Sequence, residues 1–214
     1  MTTEAATPRE HPAISLAGEG GGRNVELKAH DPAPETTLEA CRKLGAVDCG
    51  LLWQRDTYFN TQRGRLKLRE QRPGRCQLIH YHRADQSQER ESRYRILEVT
   101  EPDTIRDFLA ESLGVLAIVT KRRRLFLWRS IRIHLDDVEG QGRFVEFEAV
   151  AQPDSDLSAE FGLIAELRSR VGITDENLVA ASYSDRAATQ ATTPGTAPSA
   201  MPERSATPGT EREP

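Results

Sequence analysis

Cysteine is scarce in this chain of 214 residues, and Cys41, Cys49 and Cys76 form neither a CxxC pair nor a cluster with histidine. That spacing argues against a disulfide framework and a zinc finger, and it fits a reduced, cytoplasmic protein. No apolar run is long enough to span a bilayer, and no N-terminal stretch resembles the apolar core of a signal peptide, so a soluble protein without a membrane partner is expected. Neither sign of charge dominates. Twenty-nine Lys and Arg against thirty-three Asp and Glu leave a net charge of -4, which gives no reason to expect a nucleic-acid binder. A Walker-type phosphate loop is missing, because the run Gly20-Gly21-Gly22 precedes a strand pattern rather than a helix. A Ser-His-Asp pattern is missing as well, so any chemistry must proceed without that nucleophile.

The ends of the chain have little that could build a core. Residues 1–22 mix Thr, Ala, Pro, Glu and Gly, and residues 188–214 are mainly Thr, Pro, Ala, Ser and Gly with scattered charges. Both compositions predict disordered tails around one folded domain over residues 23–187. Within that domain apolar and polar residues alternate, the period-two signature of strands with one buried face. Eight runs carry it: 23–30, 51–60, 65–70, 76–83, 93–99, 115–128, 129–136 and 143–150. Short turns such as Arg72-Pro73-Gly74-Arg75 favour antiparallel neighbours. Helices are expected over 37–44, from a Thr100/Asp103 capping box to Gly114, and over 155–171 with Gly172 as the stop. The fold class is therefore α+β, an antiparallel β structure with flanking helices covering its apolar faces.

What is unusual is the polar face of these strands, which is so often fully charged. Asn24, Glu26 and Lys28 share one face of the first run, Arg65, Lys67 and Arg69 one face of the third. Arg132, His134 and Asp136 do so on the seventh, and Glu146 and Glu148 on the eighth. On a single strand such a face is ordinarily just solvated. Repeated around a closed sheet whose outer face is covered by helices, the charged faces point into one lumen and must find partners there. Bases concentrate in 63–75 and 117–135, acids on the first and eighth runs. Such a lumen suits a multiply charged anion bound together with cations that neutralise the carboxylates. Arg and Lys match phosphate oxygens, Mg²⁺ and Mn²⁺ match carboxylates, and phosphoryl transfer asks the protein mainly to position groups and stabilise charge.

The run Asn24-Val25-Glu26-Leu27-Lys28 resembles the N-terminal Glu-x-Glu-x-Lys signature of CYTH domains, which include class IV adenylyl cyclases and thiamine triphosphatases. Five further stretches resemble the family in the same order. They are Gln54 to Phe59, Gly64-Arg65-Leu66-Lys67-Leu68-Arg69, Lys121-x-Arg123, Leu135-Asp136-Asp137-Val138 and Gly142 to Glu148. The resemblance covers about residues 23–186. It implies an eight-stranded antiparallel β-barrel, a triphosphate tunnel, in which basic side chains bind a triphosphate and carboxylates bind two metal ions. By position, Glu26, Asp136, Glu146 and Glu148 would be metal ligands for Mg²⁺ or Mn²⁺, and Lys28, Lys67, Arg69, Lys121, Arg123 and Arg132 would hold phosphate. Glu26 and Lys28 would be the catalytic pair. Two positions depart from the pattern: Asn24 replaces the first Glu, and His82 takes the place of a fourth-strand Lys, either as a phosphate ligand or as a neutral structural histidine.

Three functions follow from the resemblance. The chain would cleave a phosphoanhydride of ATP, tripolyphosphate or thiamine triphosphate as a metal-dependent enzyme; it would convert ATP to cyclic AMP and pyrophosphate; or it would bind polyphosphate or nucleotide without turnover. A monomer or a homodimer is compatible with each.

Overall fold

A computed structural model describes residues 20–192; of the tails expected over 1–22 and 188–214, the parts 1–19 and 193–214 lie outside the described residues. Its element order is β1 (Gly20–His30), α1 (Pro34–Lys43), β2 (Val47–Phe59), β3 (Arg65–Arg72), β4 (Cys76–Arg83), β5 (Arg90–Val99), α2 (Pro102–Leu113), β6 (Val115–Trp128), β7 (Ile131–Val138), β8 (Gly142–Val150), α3 (Ser158–Val171) and α4 (Tyr183–Thr192), with a 3-10 turn at Asp175–Asn177. All eight strands form one closed antiparallel barrel in the order β1-β5-β4-β3-β2-β6-β7-β8. The α+β class and the eight-stranded barrel are as expected.

Closure follows from the pattern. On β1, Val25, Leu27 and Ala29 point outward and are at most 1 % exposed, beneath α3. Phe126, Ile131, Ile133, Val145 and Phe147 extend this outer layer around β6, β7 and β8, where α1 and α3 supply Cys41, Ile164 and Leu167. Covering apolar area on that scale is the main force holding the helices to the barrel. The charged partners of the same alternation are thereby forced inward. α2 lies against β2 and β3, leaving Phe108 65 % exposed, and α4 packs on β6 at one end of the barrel.

Several boundaries differ from those expected. β1 starts at Gly20, where glycines allow the strand to pair with β5 although they offer no apolar side chain. α2 begins at Pro102 after the cap residue Glu101, with no side-chain capping bond, so the Thr100/Asp103 box is not used. Proline at the first helical position takes over that role, since its missing N–H would be unpaired there anyway. Gly172 ends α3 as expected, with φ +80°, a left-handed conformation natural to glycine. α4 was not foreseen and continues past residue 187 to Thr192.

Candidate functional site: a charged tunnel

Inside the barrel a cavity of about 540 Å³ runs between the strands. Eight cations (Lys28, Lys67, Arg69, Arg75, Arg83, Lys121, Arg123 and Arg132) line it, and five carboxylates (Glu26, Asp56, Asp136, Glu146 and Glu148) line it or lie in its wall. The surplus of cations leaves an interior that favours anions, even though the chain as a whole is acidic.

Two buried aspartates organise the cations. Asp56 on β2, fully buried, accepts from Lys67 Nζ at 3.0 Å and from Arg69 Nε and Nη2 at 2.7 Å each. Burial works to raise its pKa, but Arg69 and Lys67 outweigh burial and hold it well below the carboxylate range. Asp136 on β7 accepts both guanidinium contacts of Arg123 at 2.6 Å, Lys121 Nζ at 3.2 Å and the Tyr183 hydroxyl at 3.0 Å. Its pKa is likewise lowered, burial being overcome by Arg123 and Lys121. The lysines carry the opposite perturbation. Burial, with Arg69 adding to it, lowers Lys67 to about 7, and burial lowers Lys28 to about 8 despite Glu146. Lys121 is lowered too, by burial and then Arg123. Lysines so placed gain from an anion arriving beside them.

The stretch of wall on β7, β8 and β1 holds a second set, joined to the first by Arg123 Nη2, which also donates to Glu146 Oε2 at 3.1 Å. His134 Nδ1 lies 3.8 Å from Glu146 Oε2 and 3.8 Å from Glu148 Oε1, and one ligand atom from each of the three falls within 4.8 Å of the others. At that range the ring nitrogen has no hydrogen-bond partner, although it is buried. Burial, then Arg123, lowers the His134 pKa and keeps the imidazole neutral, the form that ligates metal. Two carboxylates and an orphaned neutral imidazole fit a divalent cation.

The side chains predicted from sequence divide accordingly. Glu26, Lys28, Lys67, Arg69, Lys121, Arg123, Arg132, Glu146 and Glu148 face the cavity, with Asp136 buried in its wall. Glu26 and Asp136, expected from sequence as metal ligands, lie outside that group of three. Arg83 and Arg90 both donate to Glu26 Oε1, and Lys121 and Arg123 to Asp136, while Glu146 accepts from Arg123 at 3.1 Å and stands beside His134 and Glu148. His82 must be corrected. It is exposed on the outer face of β4, its ring 4.7 Å from that of His80, beside an outside cleft with Arg93 and Arg95. Gln77, Ile79, Tyr81 and Arg83 are the inward residues of β4, so Arg83 is the fourth strand's cation.

Sequence reasoning missed Asp56, Arg83, Arg90, His134 as a ligand, and Tyr183. His134 was placed on the correct face but given no role; Asp56 stood inside a quoted motif. Tyr183, fully inside the wall at 3 % exposure, lies under Lys28, whose Nζ is 3.6 Å from its ring centroid. Burial raises its pKa far above normal, so the hydroxyl remains a donor to Asp136.

The model of the CYTH domain matches residues 22–183. The chain belongs to the CYTH domain family. Solved structures similar to this CYTH protein share its fold at low identity. A protein from Pyrococcus horikoshii OT3 is 23% identical over 76% of this chain and 98% of its own, with a TM-score of 0.66. A candidate adenylate cyclase from Vibrio parahaemolyticus is 20% identical over 78% of this chain and 97% of its own, with a TM-score of 0.62. A candidate adenylyl cyclase from Hippeastrum with a dominant triphosphatase activity is 16% identical over 78% and 95%, with a TM-score of 0.56. No match is found among curated proteins. Among the described residues no helix is long and apolar enough to cross a membrane.

Proposed function

We propose that this CYTH protein is a metal-dependent enzyme that holds a triphosphate in the barrel and cleaves a phosphoanhydride, in a reducing cytoplasm that keeps its three cysteines as thiols. The observation that carries this reading is the arrangement of the cavity wall: cations pre-oriented by Asp56 and Asp136 and, joined to them through Arg123, His134, Glu146 and Glu148 converging on one another. Lys67, Arg69, Lys121 and Arg123 would bind phosphate oxygens, Asp56 and Asp136 fixing their directions before substrate arrives. Lys28 lies 3.8 Å from Glu146 and reaches between the two sets, where it would neutralise charge on the phosphates. Glu26 would act through Arg83 and Arg90, holding both guanidinium groups at the cavity.

His134, Glu146 and Glu148 would hold the ion. Bound there, a divalent metal supplies Lewis-acid polarisation of phosphoryl oxygens and a water of lowered pKa. A nitrogen ligand beside two carboxylates favours Mn²⁺ over Mg²⁺, which prefers an all-oxygen shell. The test is phosphate release from tripolyphosphate and ATP with each metal, by the wild type and by Glu146→Gln. Metal-dependent release that the substitution abolishes supports the reading. Binding without turnover of either substrate refutes it in favour of a non-catalytic module.

The cyclase reading gains from one observation: apolar wall adjoins the charged wall, which suits a nucleotide. Product analysis with ATP separates the two reactions, since only cyclisation yields cyclic AMP and pyrophosphate.

A further inference from the structure

His82, which the barrel interior does not use, stands in a charged array on the outside. Outward positions of β4 and β5 pair as His80↔Arg95 and His82↔Arg93, and the second row continues onto β1 through Arg23↔Arg93. Strand geometry sets such neighbours about 5 Å apart across the sheet and about 7 Å apart along it, so all of these side chains share one small area. Like charges directly opposite one another destabilise a sheet, and Arg23 with Arg93 is such a pair. Blocking an edge strand does not explain them, because the barrel is closed and has no edge to guard.

The array lines a cleft of about 660 Å³ whose far side is Ala151, Gln152 and Pro153. Among the described residues that line the cleft, none is acidic. Glu91, at its margin, serves two arginines at once: Arg93 Nε donates to Glu91 Oε1 at 2.8 Å, and Arg23 Nη1 lies 3.5 Å from the same oxygen. Arg23 is also held by the Ser155 carbonyl, to which Nη2 donates at 2.7 Å. Exposed Arg95 has no ion pair and no side-chain hydrogen bond among the described residues. Opposite it stands Gly21, where a Cβ would lie 3.7 Å from Arg95 Cγ, so glycine keeps that flank open. The His80 ring is anchored, with Nε2 3.1 Å from the Arg63 carbonyl oxygen, and the His82 ring meets it edge-on at 4.7 Å.

Three arginines against one glutamate leave two positive charges over, before either histidine is counted. A single carboxylate would neutralise only one of them. A phosphoryl dianion supplies both charges, and its oxygens suit the forked donors of arginine and the N–H of imidazole. We infer that Arg93, Arg95, His80 and His82 form an outer anion site that binds a phosphoryl dianion, separate from the barrel interior. Tyr94 points inward from between the two arginines and lines both cavities, so the thickness of one strand divides them. The site stands independently of what the interior binds. Its ligand chemistry is shared by free inorganic phosphate and by a phosphoryl group carried on a peptide.

The experiment is NMR of the histidine ring signals in the full chain, titrated with inorganic phosphate, with a phosphoserine peptide and with sodium chloride of matched ionic strength. His80→Gln and His82→Gln assign the two signals. Phosphate is expected to move both saturably, with a midpoint below about 10 mM, and sodium chloride is not. Arg95→Gln removes an exposed charge-assisted donor and is expected to weaken binding about tenfold or more with the melting temperature unchanged. Arg93→Gln serves in its place if Arg95→Gln does not fold. Tighter binding of the peptide than of phosphate supports the site and names a phosphorylated partner as its ligand; equal affinity supports it with the free ion as ligand. Shifts matched by sodium chloride, an affinity unmoved in the folded variant, or movement of the His134 signal alone would overturn the outer site.

Discussion

Asp136→Asn is the perturbation that probes the cavity wall most sharply. The side chain of Asp136 is wholly buried and takes four contacts, two from Arg123 and one each from Lys121 and Tyr183. Asparagine keeps the volume and one acceptor but removes the charge, and its amide donor faces a cation. Removing one partner of a buried ion pair costs about 3–5 kcal/mol, because the remaining charges stay buried without compensation. For a domain of this size each kcal/mol moves the melting temperature by about 2–4 °C, so the ligand-free variant should melt about 6–20 °C lower. The same uncompensated cations are the ones expected to hold phosphate. Tripolyphosphate should therefore raise the melting temperature of Asp136→Asn by more than it raises that of the wild type. Differential scanning fluorimetry with and without tripolyphosphate measures both effects. A ligand-free shift below about 2 °C, or a ligand effect smaller than in the wild type, would refute the argument that Asp136 is what neutralises these buried cations.

Lys67, lowered to about 7 by burial and by Arg69, is protonated below that pH and loses its charge above it; KM for the triphosphate should rise from pH 7 to pH 9. Lys67→Arg, whose charge persists, should flatten that rise in a steady-state pH series, and an unchanged slope would exclude Lys67 as the titrating group. His134→Ala should weaken Mn²⁺ binding by about tenfold or more, read from free Mn²⁺ by electron paramagnetic resonance, while Mg²⁺ affinity changes less. Equal losses for the two metals would remove His134 from the ligand set. Tyr183→Phe deletes the hydroxyl contact to Asp136 but keeps the ring under Lys28, and should cost about 1 kcal/mol in a denaturant melt. A loss above about 3 kcal/mol would mean that the hydroxyl supports more than that one bond.

How much of this was legible depended on how cleanly each strand alternates. β1, β7 and β8 place a charged or amide side chain at every second position, so Glu26, His134 and Glu148 were assigned to the inner face from the sequence. β4 reads Leu78-Ile79-His80-Tyr81-His82-Arg83 and has no such contrast, because its inner face carries Ile79 and Tyr81 while its outer face carries two histidines. The parity there was taken one residue out, which exchanged Arg83 for His82. Arg90 escaped notice because β5 opens in the polar run Arg90-Glu91-Ser92-Arg93, where period-two alternation has nothing apolar to mark it. α4 is rich in Ala, Ser and Thr, and Tyr183, Asp185, Arg186 and Ala187 dock it on the barrel, so its helical character owes more to those contacts than to its own pattern. Pairings such as Asp56 with Lys67 and Arg69 depend on the register of β2 against β3. A list of residue types along one strand does not contain that register.

The central claim is that acids and bases from strands around the whole barrel serve one triphosphate and its metal inside it. A crystal grown with Mn²⁺ and tripolyphosphate, measured at the manganese edge, tests it directly. The account predicts an anomalous peak between His134, Glu146 and Glu148, with phosphates in contact with Lys67 and Lys121. Manganese or phosphate bound instead at the outer face around His80, His82 and Arg95, with the barrel interior holding only water, would contradict it.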